Sequence, residues 1–491
     1  MAIACTPNRR RTPDDTLVIA IEAAMSTADP RYAISNWDGK LSKLVHPGLT
    51  AVDTTTLEPR LELASKITAV DPRTWDVEVR SDAKFSDGAP VTAADVAYTY
   101  QSMLDPKSDS LFRKGFTERF SHVEPINARV VRFHLREPLA TFQTDIDIGI
   151  ISAAGKGAGP YVVNELTTTH VVLDASPTYF GTPPRVQHVE IKFVRDASAR
   201  LLMLVGGSAD LIQNGVRLDL LDDVRERPRV HLDTSPSVFL TYLMMNNADP
   251  LLKDVRVRQA IALAIDRPGV IAAKFGGRAV LATGLLPPGH WAYNGNVDRW
   301  NRDLPRAKAL LDAAGYRDPD GPGPGMRMKL SYKTSSDAFR VSVARVIAAQ
   351  LAEVGIDVEL KPFEFATFFS DVKKGIYQLA SMQTSEITEP DFYFMYFNSA
   401  RIPTKTDPDG GNRWRYVSSE VDRLTVAGRR ELDRAKRVQI YADVQRHVAA
   451  DVPIVPLWHE DNVVLTNVDV QGYTISPNAR LAGLATAWKQ P

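Results

Sequence analysis

A single cysteine, Cys5, serves the whole chain of 491 residues. That scarcity excludes a disulfide framework and any metal cage built from cysteine alone. Long apolar runs are missing too, and no stretch approaches the roughly 18 apolar residues of a membrane-crossing helix. Charge of one sign is not in excess: 59 Lys and Arg stand against 59 Asp and Glu. Such a balance gives no electrostatic footprint for nucleic acid or an anionic membrane surface as main partner. Enzyme signatures are also lacking, with no Gly-x-Ser-x-Gly, His-Glu-x-x-His or Cys-x-x-Cys pattern. Around Gly149, Gly155 and Lys156 a phosphate loop fails by one residue in spacing. Gly157 replaces its Ser/Thr and Pro160 blocks an immediate helix start, so this loop reads as structural. His459-Glu460-Asp461 has the makings of a metal or acid–base cluster, but it follows a Pro-Leu-Trp strand and reads as a solvated turn. The expectation is a non-enzyme with no cofactor and no metal.

What is present is ordinary for a globular chain, with 24% charged and 44% hydrophobic residues. The length allows two to four domain-sized units. Strand-like and helix-like segments alternate, punctuated by 32 Pro and 29 Gly, which predicts an α/β class. Residues 17–21 read as a buried strand and 130–135 as another. Residues 75–80 alternate: Trp75, Val77 and Val79 face one way, Asp76, Glu78 and Arg80 the other. Asp87-Gly88 then supplies a tight turn, and Thr92 with Asp95 three positions on is a helix-start signal. Val96, Tyr100, Met103 and Leu104 continue that helix on one face. Further helices are predicted from Asp254 through Asp266, from Pro305 to the stop at Gly315, and over 435–450. There is no internal repeat of fixed period.

The run Lys84-Phe85-Ser86-Asp87-Gly88-Ala89-Pro90-Val91-Thr92-Ala93-Ala94-Asp95-Val96 resembles the "F-x-D-G-x-P-x-T-A-x-D-V" signature of the solute-binding proteins that serve peptide and nickel ABC importers. Further stretches resemble that family in its order: Gly157-Ala158-Gly159-Pro160-Tyr161, Tyr242 to Asn246, Asp254 to Arg267, Ala307 to Tyr316, and Asp451 to Leu457. The likeness spans about Leu17 to Tyr473. It implies a two-lobe periplasmic-binding-protein-like α/β fold with two hinge crossovers and an inserted subdomain in the first lobe. The boundaries expected from it are a tether over 1–16; a first lobe from 17–48, 155–245 and 468–491; an insertion over 49–154; and a second lobe over 246–467.

The resemblance also implies a function: capture of a di- or oligopeptide and its delivery to an ABC permease, by a monomer. In relatives the peptide pairs with protein backbone like an added strand, and its ammonium group meets a carboxylate. That carboxylate falls on Glu386 here, a Glu where relatives have Asp, with Glu389 and Asp391 as possible substitutes. A solvated acidic loop is the plain alternative. Met382, Gln383, Thr384 and Ser385 would offer pairing backbone on one side, and Ile34, Ser35 and Asn36 on the other. Gln383 replaces a frequent Trp, and Ala380 stands where some oligopeptide binders carry a basic residue. Trp291, Tyr293 and Trp414 read as exposed-loop aromatics able to line a pocket or to pack on their own loops. Arg401, Arg413 and Arg415 are the cations nearest in sequence for a ligand carboxylate. Cys5, followed by a polar, basic segment, resembles the acylated cysteine of a bacterial lipoprotein, which implies anchoring at the outer face of the cell membrane. Two other readings stay open: a regulator or scaffold lipoprotein of envelope biosynthesis with the same fold, and a binder of nickel chelate or haem.

Overall fold

Leu17, Val18, Ile19, Ala20 and Ile21 are all buried, as a strand covered on both faces requires. In the computed structural model, which describes residues 12–490 except 217, 322 and 385, that segment is the middle strand Thr16–Ile21 of a seven-stranded sheet. The spatial order is Val230–Ser235, Asn462–Asn467, Leu211–Gln213, Thr16–Ile21, His188–Phe193, His170–Ala175 and Tyr161–Leu166. Thr16–Ile21 runs parallel to both its neighbours, and the outer pairs are antiparallel. This sheet belongs to the first of two units, formed by residues up to Ser235 and from Asn462 onward.

Within that unit a four-stranded antiparallel sheet has its own core, in the order Ala64–Asp71, Thr74–Val79, Val130–Leu135 and Phe120–Pro125. Alternation decides which face is wet: Val77, Val79, Val131 and Phe133 are buried, and Asp76, Arg132 and His134 point the other way. The apolar face meets the helix Ala93–Leu104 through Val96, Tyr100 and Met103. That helix starts at a capping box, with the Thr92 backbone N–H donating to Asp95 at 2.9 Å.

The loop carrying the opening signature is tied to the glycine-rich loop, since Ser86 N–H donates to the Gly157 carbonyl at 2.9 Å. Glycine is needed there for closeness. A Cβ on Gly157 would lie 2.0 Å from the Val45 carbonyl oxygen, and one on Gly159 2.3 Å from that of Leu44. The loop is a packing device.

The second unit runs from Pro236 to Asp461. Its six-stranded sheet is ordered Ala279–Leu281, Ile454–Glu460, Leu240–Met245, Leu379–Gln383, Met328–Ser335 and Ile356–Phe363. The chain therefore passes between units at 235/236 and 461/462, not at 245/246 and 467/468 as the resemblance implied. Leu240–Met245 is buried at every position and pairs with strands of the second unit on both sides. Among the described residues, Asn462–Asn467 pairs only within the first unit's sheet. Pairing partners, which no motif names, set these limits. The helix expected from Asp254 to Asp266 also divides: it covers Val255–Ala264, Ile265 is extended, and Asp266 caps a second helix, Arg267–Phe275.

Candidate ligand-binding site

In the second unit, Met328–Ser335, Ile356–Phe363 and Leu379–Gln383 are mutually parallel where they pair. Ile454–Glu460 shares their direction, because Leu240–Met245 is antiparallel to both it and Leu379–Gln383. Four carboxyl ends thus reach one edge, the place where open α/β sheets bind ligands. Pairing between Met328–Ser335 and Leu379–Gln383 stops at Ala380. Ser381, Met382 and Gln383 keep Leu240–Met245 on one side and, among the described residues, no ladder strand on the other. Gln383 is exposed. Thr384 is committed inward: its N–H donates to the Leu240 carbonyl and its hydroxyl accepts the Leu240 N–H, both at 2.9 Å. Ser385 lies outside the described residues, and Glu386 follows, half-buried.

The two suggested substitutes for Glu386 are structural. Glu389 is ion-paired with Arg437, both almost wholly buried. Burial depresses the Arg437 pKa, but the charge and hydrogen bond of Glu389, together with Tyr441 and Asp391, outweigh it, so it lies above the usual value. Asp391 accepts from the Tyr441 hydroxyl at 3.3 Å and faces Arg429 at 3.6 Å. Trp414 is not in an exposed loop: it is 1% exposed and packs against Tyr242, Tyr396 and Phe397 in the core. Trp291 is half-buried, stacked on His290 and covered by the guanidinium groups of Arg434 and Arg437. Tyr293 accepts from the Thr283 hydroxyl at 3.1 Å. Arg401 pairs with Asp407, Arg413 lies over Phe369, and Arg415 donates to the Lys373 carbonyl.

Sequence reasoning missed the groups that end the strand Ile454–Glu460. His459 is 1% exposed, so the expected solvated turn is corrected: it sits inside the sheet, and burial pushes its pKa down to about 4. Glu460 accepts from the Thr241 hydroxyl at 2.7 Å and pairs with Arg340. Burial raises the Glu460 pKa, but the Arg340 guanidinium and hydrogen bonds outweigh it and hold the carboxyl below its usual range. At the same edge, Tyr332 is buried, and Thr334 Oγ1 is buried with no hydrogen-bond partner among the described residues. Only pairing of Thr241 beside the end of Ile454–Glu460 reveals this polar cluster.

In the first unit, Ile34, Ser35 and Asn36 form an exposed run between buried Ala33 and Trp37. Ser35 caps the helix Asn36–Val45, accepting the Asp38 N–H at 3.0 Å. Asp38 in turn accepts from the N–H and hydroxyl of Ser26, at 2.6 and 2.9 Å. Burial raises the Asp38 pKa, and these bonds bring it below the ordinary value. The run is therefore held in place by the Ser35 cap and its neighbours, with Ile34 and Asn36 exposed to water. Cys5 lies outside the described residues.

Residues 58–403 match the family model for the middle region of bacterial extracellular solute-binding proteins, family 5. The chain belongs to this family. This family 5 protein is 26% identical, over 95% of its own length and 92% of the relative's, to the probable D,D-dipeptide-binding periplasmic protein DdpA of Escherichia coli. Among solved structures it resembles the oligopeptide-binding protein AppA from Bacillus subtilis in complex with a nonapeptide, with a TM-score of 0.81 and 23% identity over 97% of this chain and 99% of that one. It also resembles NikZ from Campylobacter jejuni in complex with Ni(L-His), with a TM-score of 0.83 and 22% identity over 97% and 100%. The fold is the two-lobe α/β class that the sequence motifs implied. The homologues are extracytoplasmic substrate-binding transport proteins, which fits a non-enzyme role. Among the described residues no helix is long and apolar enough to cross a membrane.

Proposed function

We propose that this family 5 protein binds a di- or oligopeptide for an ABC importer and delivers it to the membrane permease. The observation that carries this reading is the open strand edge at Ser381–Gln383 with Glu386 just beyond it, in a chain of this family. An extended peptide can add to such an edge through main-chain bonds, which tolerate varied side chains. Glu386 then accepts the peptide's ammonium group. A charge-assisted bond of this kind contributes about 1.5–3 kcal/mol. Glu386→Ala is expected to weaken binding of a free-amino-terminus peptide roughly ten- to a hundredfold. Titration calorimetry with the free and the N-acetylated peptide checks this: the variant should lose its preference for the free form. Equal affinity of wild type and variant for the free peptide would remove Glu386 from the site.

The same reading includes a lipid anchor on Cys5, supported by its polar, basic following segment. Cys5→Ala, expressed from the complete precursor, is expected to move the protein from the membrane to the soluble fraction. Retention at the membrane would count against acylation.

A further inference from the structure

The strands Met328–Ser335 and Leu379–Gln383 diverge before either ends. Among the described residues their last shared pair is Lys333 with Ala380. Beyond it, Thr334 and Ser335 stay paired with Pro362 and Phe363 on their other side. Ser381, Met382 and Gln383 likewise stay paired with Leu243, Tyr242 and Thr241 on theirs. A crevice thus opens inside the sheet, with a strand end on each side. Chain order explains its place. Met328–Ser335 leads through the helix Ala338–Ala352 to its neighbour on one side, Ile356–Phe363. That strand leads through the helix Phe365–Lys374 to the neighbour on the other side, Leu379–Gln383. Right-handed crossovers in opposite directions put the two helices on opposite faces. Lys333 accordingly pairs with Asp371 of the second helix, and alternation puts Thr334 on the face of the first. Such a reversal of strand order is the switch point at which open α/β sheets hold ligands.

Thr334 supplies the observation that points to a ligand in this crevice. It is 1% exposed, and its Oγ1 has no hydrogen-bond partner among the described residues. A buried hydroxyl left so destabilises the fold. Valine has nearly the same shape and would leave nothing unsatisfied. Other polar groups of this edge are committed elsewhere: Thr384 bonds both ways with Leu240, and the Thr241 hydroxyl donates to Glu460, which pairs with Arg340.

We propose that Thr334 is a ligand-binding residue, its hydroxyl meeting a main-chain amide of the peptide where the peptide enters the crevice between residues 334–335 and 381–383. The inference rests on the peptide reading and adds to it: at this point the peptide is held from two sides, not laid along a one-sided edge. A hydroxyl both donates and accepts, so it serves either the N–H or the carbonyl of an amide. Recognition of the main chain places no demand on the side chain there, so the ligand class is a peptide of varied sequence. The unpaired hydroxyl is then a stability cost of the unliganded protein that binding relieves, as functional groups often are.

The test uses the whole chain, titrated by calorimetry with free-ended alanine peptides from dialanine to pentaalanine, and melted without ligand in a scanning calorimeter. Thr334→Val should weaken binding of the best-bound peptide about two- to twelvefold, the worth of one hydrogen bond. The ligand-free melting temperature of Thr334→Val should equal or exceed that of the wild type, because the unsatisfied hydroxyl is gone. Thr334→Ser keeps the hydroxyl and should bind more tightly than Thr334→Val. A merely structural hydroxyl gives the opposite pattern, a lower melting temperature with unchanged affinity. Either wild-type affinity or a lower ligand-free melting temperature in Thr334→Val would overturn the inference. Weakened binding by Glu386→Ala beside unchanged binding by Thr334→Val would strike this inference alone. Binding of no peptide in the series by the wild type would strike the peptide reading with it.

Discussion

Asp210→Ala should cost the first unit about 3–5 kcal/mol, the penalty for leaving a buried charge without its partner. The Asp210 side chain is wholly buried and lies 2.7 Å from Lys489 Nζ, itself only 1% exposed. One oxygen accepts the Thr12 hydroxyl at 2.7 Å and the other the Val18 N–H at 2.8 Å. Lys489 also donates to Thr12 Oγ1 and the Pro13 carbonyl, each at 2.9 Å. This single carboxylate joins the start of the described chain, its central strand and its last strand. Removing it strands an ammonium group and an amide in a dry interior. Asp210→Leu combined with Lys489→Met should cost less than Asp210→Ala alone, because the pair is then removed together. Differential scanning calorimetry on both variants decides the matter. A single variant no less stable than the double one would show that the pair is not desolvated.

Glu389→Ala should destabilise the second unit by a similar amount, about 3–5 kcal/mol, by abandoning the Arg437 guanidinium among apolar side chains. Arg437 would keep its bond to the Gly428 carbonyl at 3.1 Å, its contacts with Trp291 and Tyr441, and the more distant charge of Asp391. The contrast with Glu386, three residues earlier, is the useful part. Glu386→Ala should change peptide affinity, and Glu389→Ala should lower the melting temperature. Two neighbouring acids are thereby assigned opposite roles by one pair of measurements. A melting curve for Glu389→Ala that overlays the wild type would return Glu389 to consideration as a ligand group.

Local signals in the sequence were reliable where neighbours along the chain determine the outcome. The alternation over Trp75 to Val79 became a strand with one wet face, Thr92 and Asp95 formed their capping box, and Gly315 adopts a positive φ of 94° after the helix Leu304–Ala313. The candidate site was legible only in outline. Met382 and Gln383 do lie on a strand with an open edge, but the inward commitment of Thr384 depends on Leu240, 144 residues away. Trp414 was misjudged for the same reason: a Trp among Asn, Arg and Gly has the sequence context of a loop. Its burial comes from Tyr242, Tyr396 and Phe397 closing around it.

By itself the sequence determined the class of fold, the family and the positions of caps and turns, because these rest on propensities and spacings within a few residues. Tertiary structure decided which charges are structural and which face water, since burial and pairing are properties of segments far apart in the chain. Thus Glu389 and Asp391 look like any other acids as letters, and only the folded chain shows Glu389 buried against Arg437 and Asp391 against Arg429 and Tyr441. Likewise His122 and His134 are 12 positions apart, a spacing with no meaning on a helix. They meet because antiparallel register sets them side by side, with Glu124 on the same face and in contact with both rings.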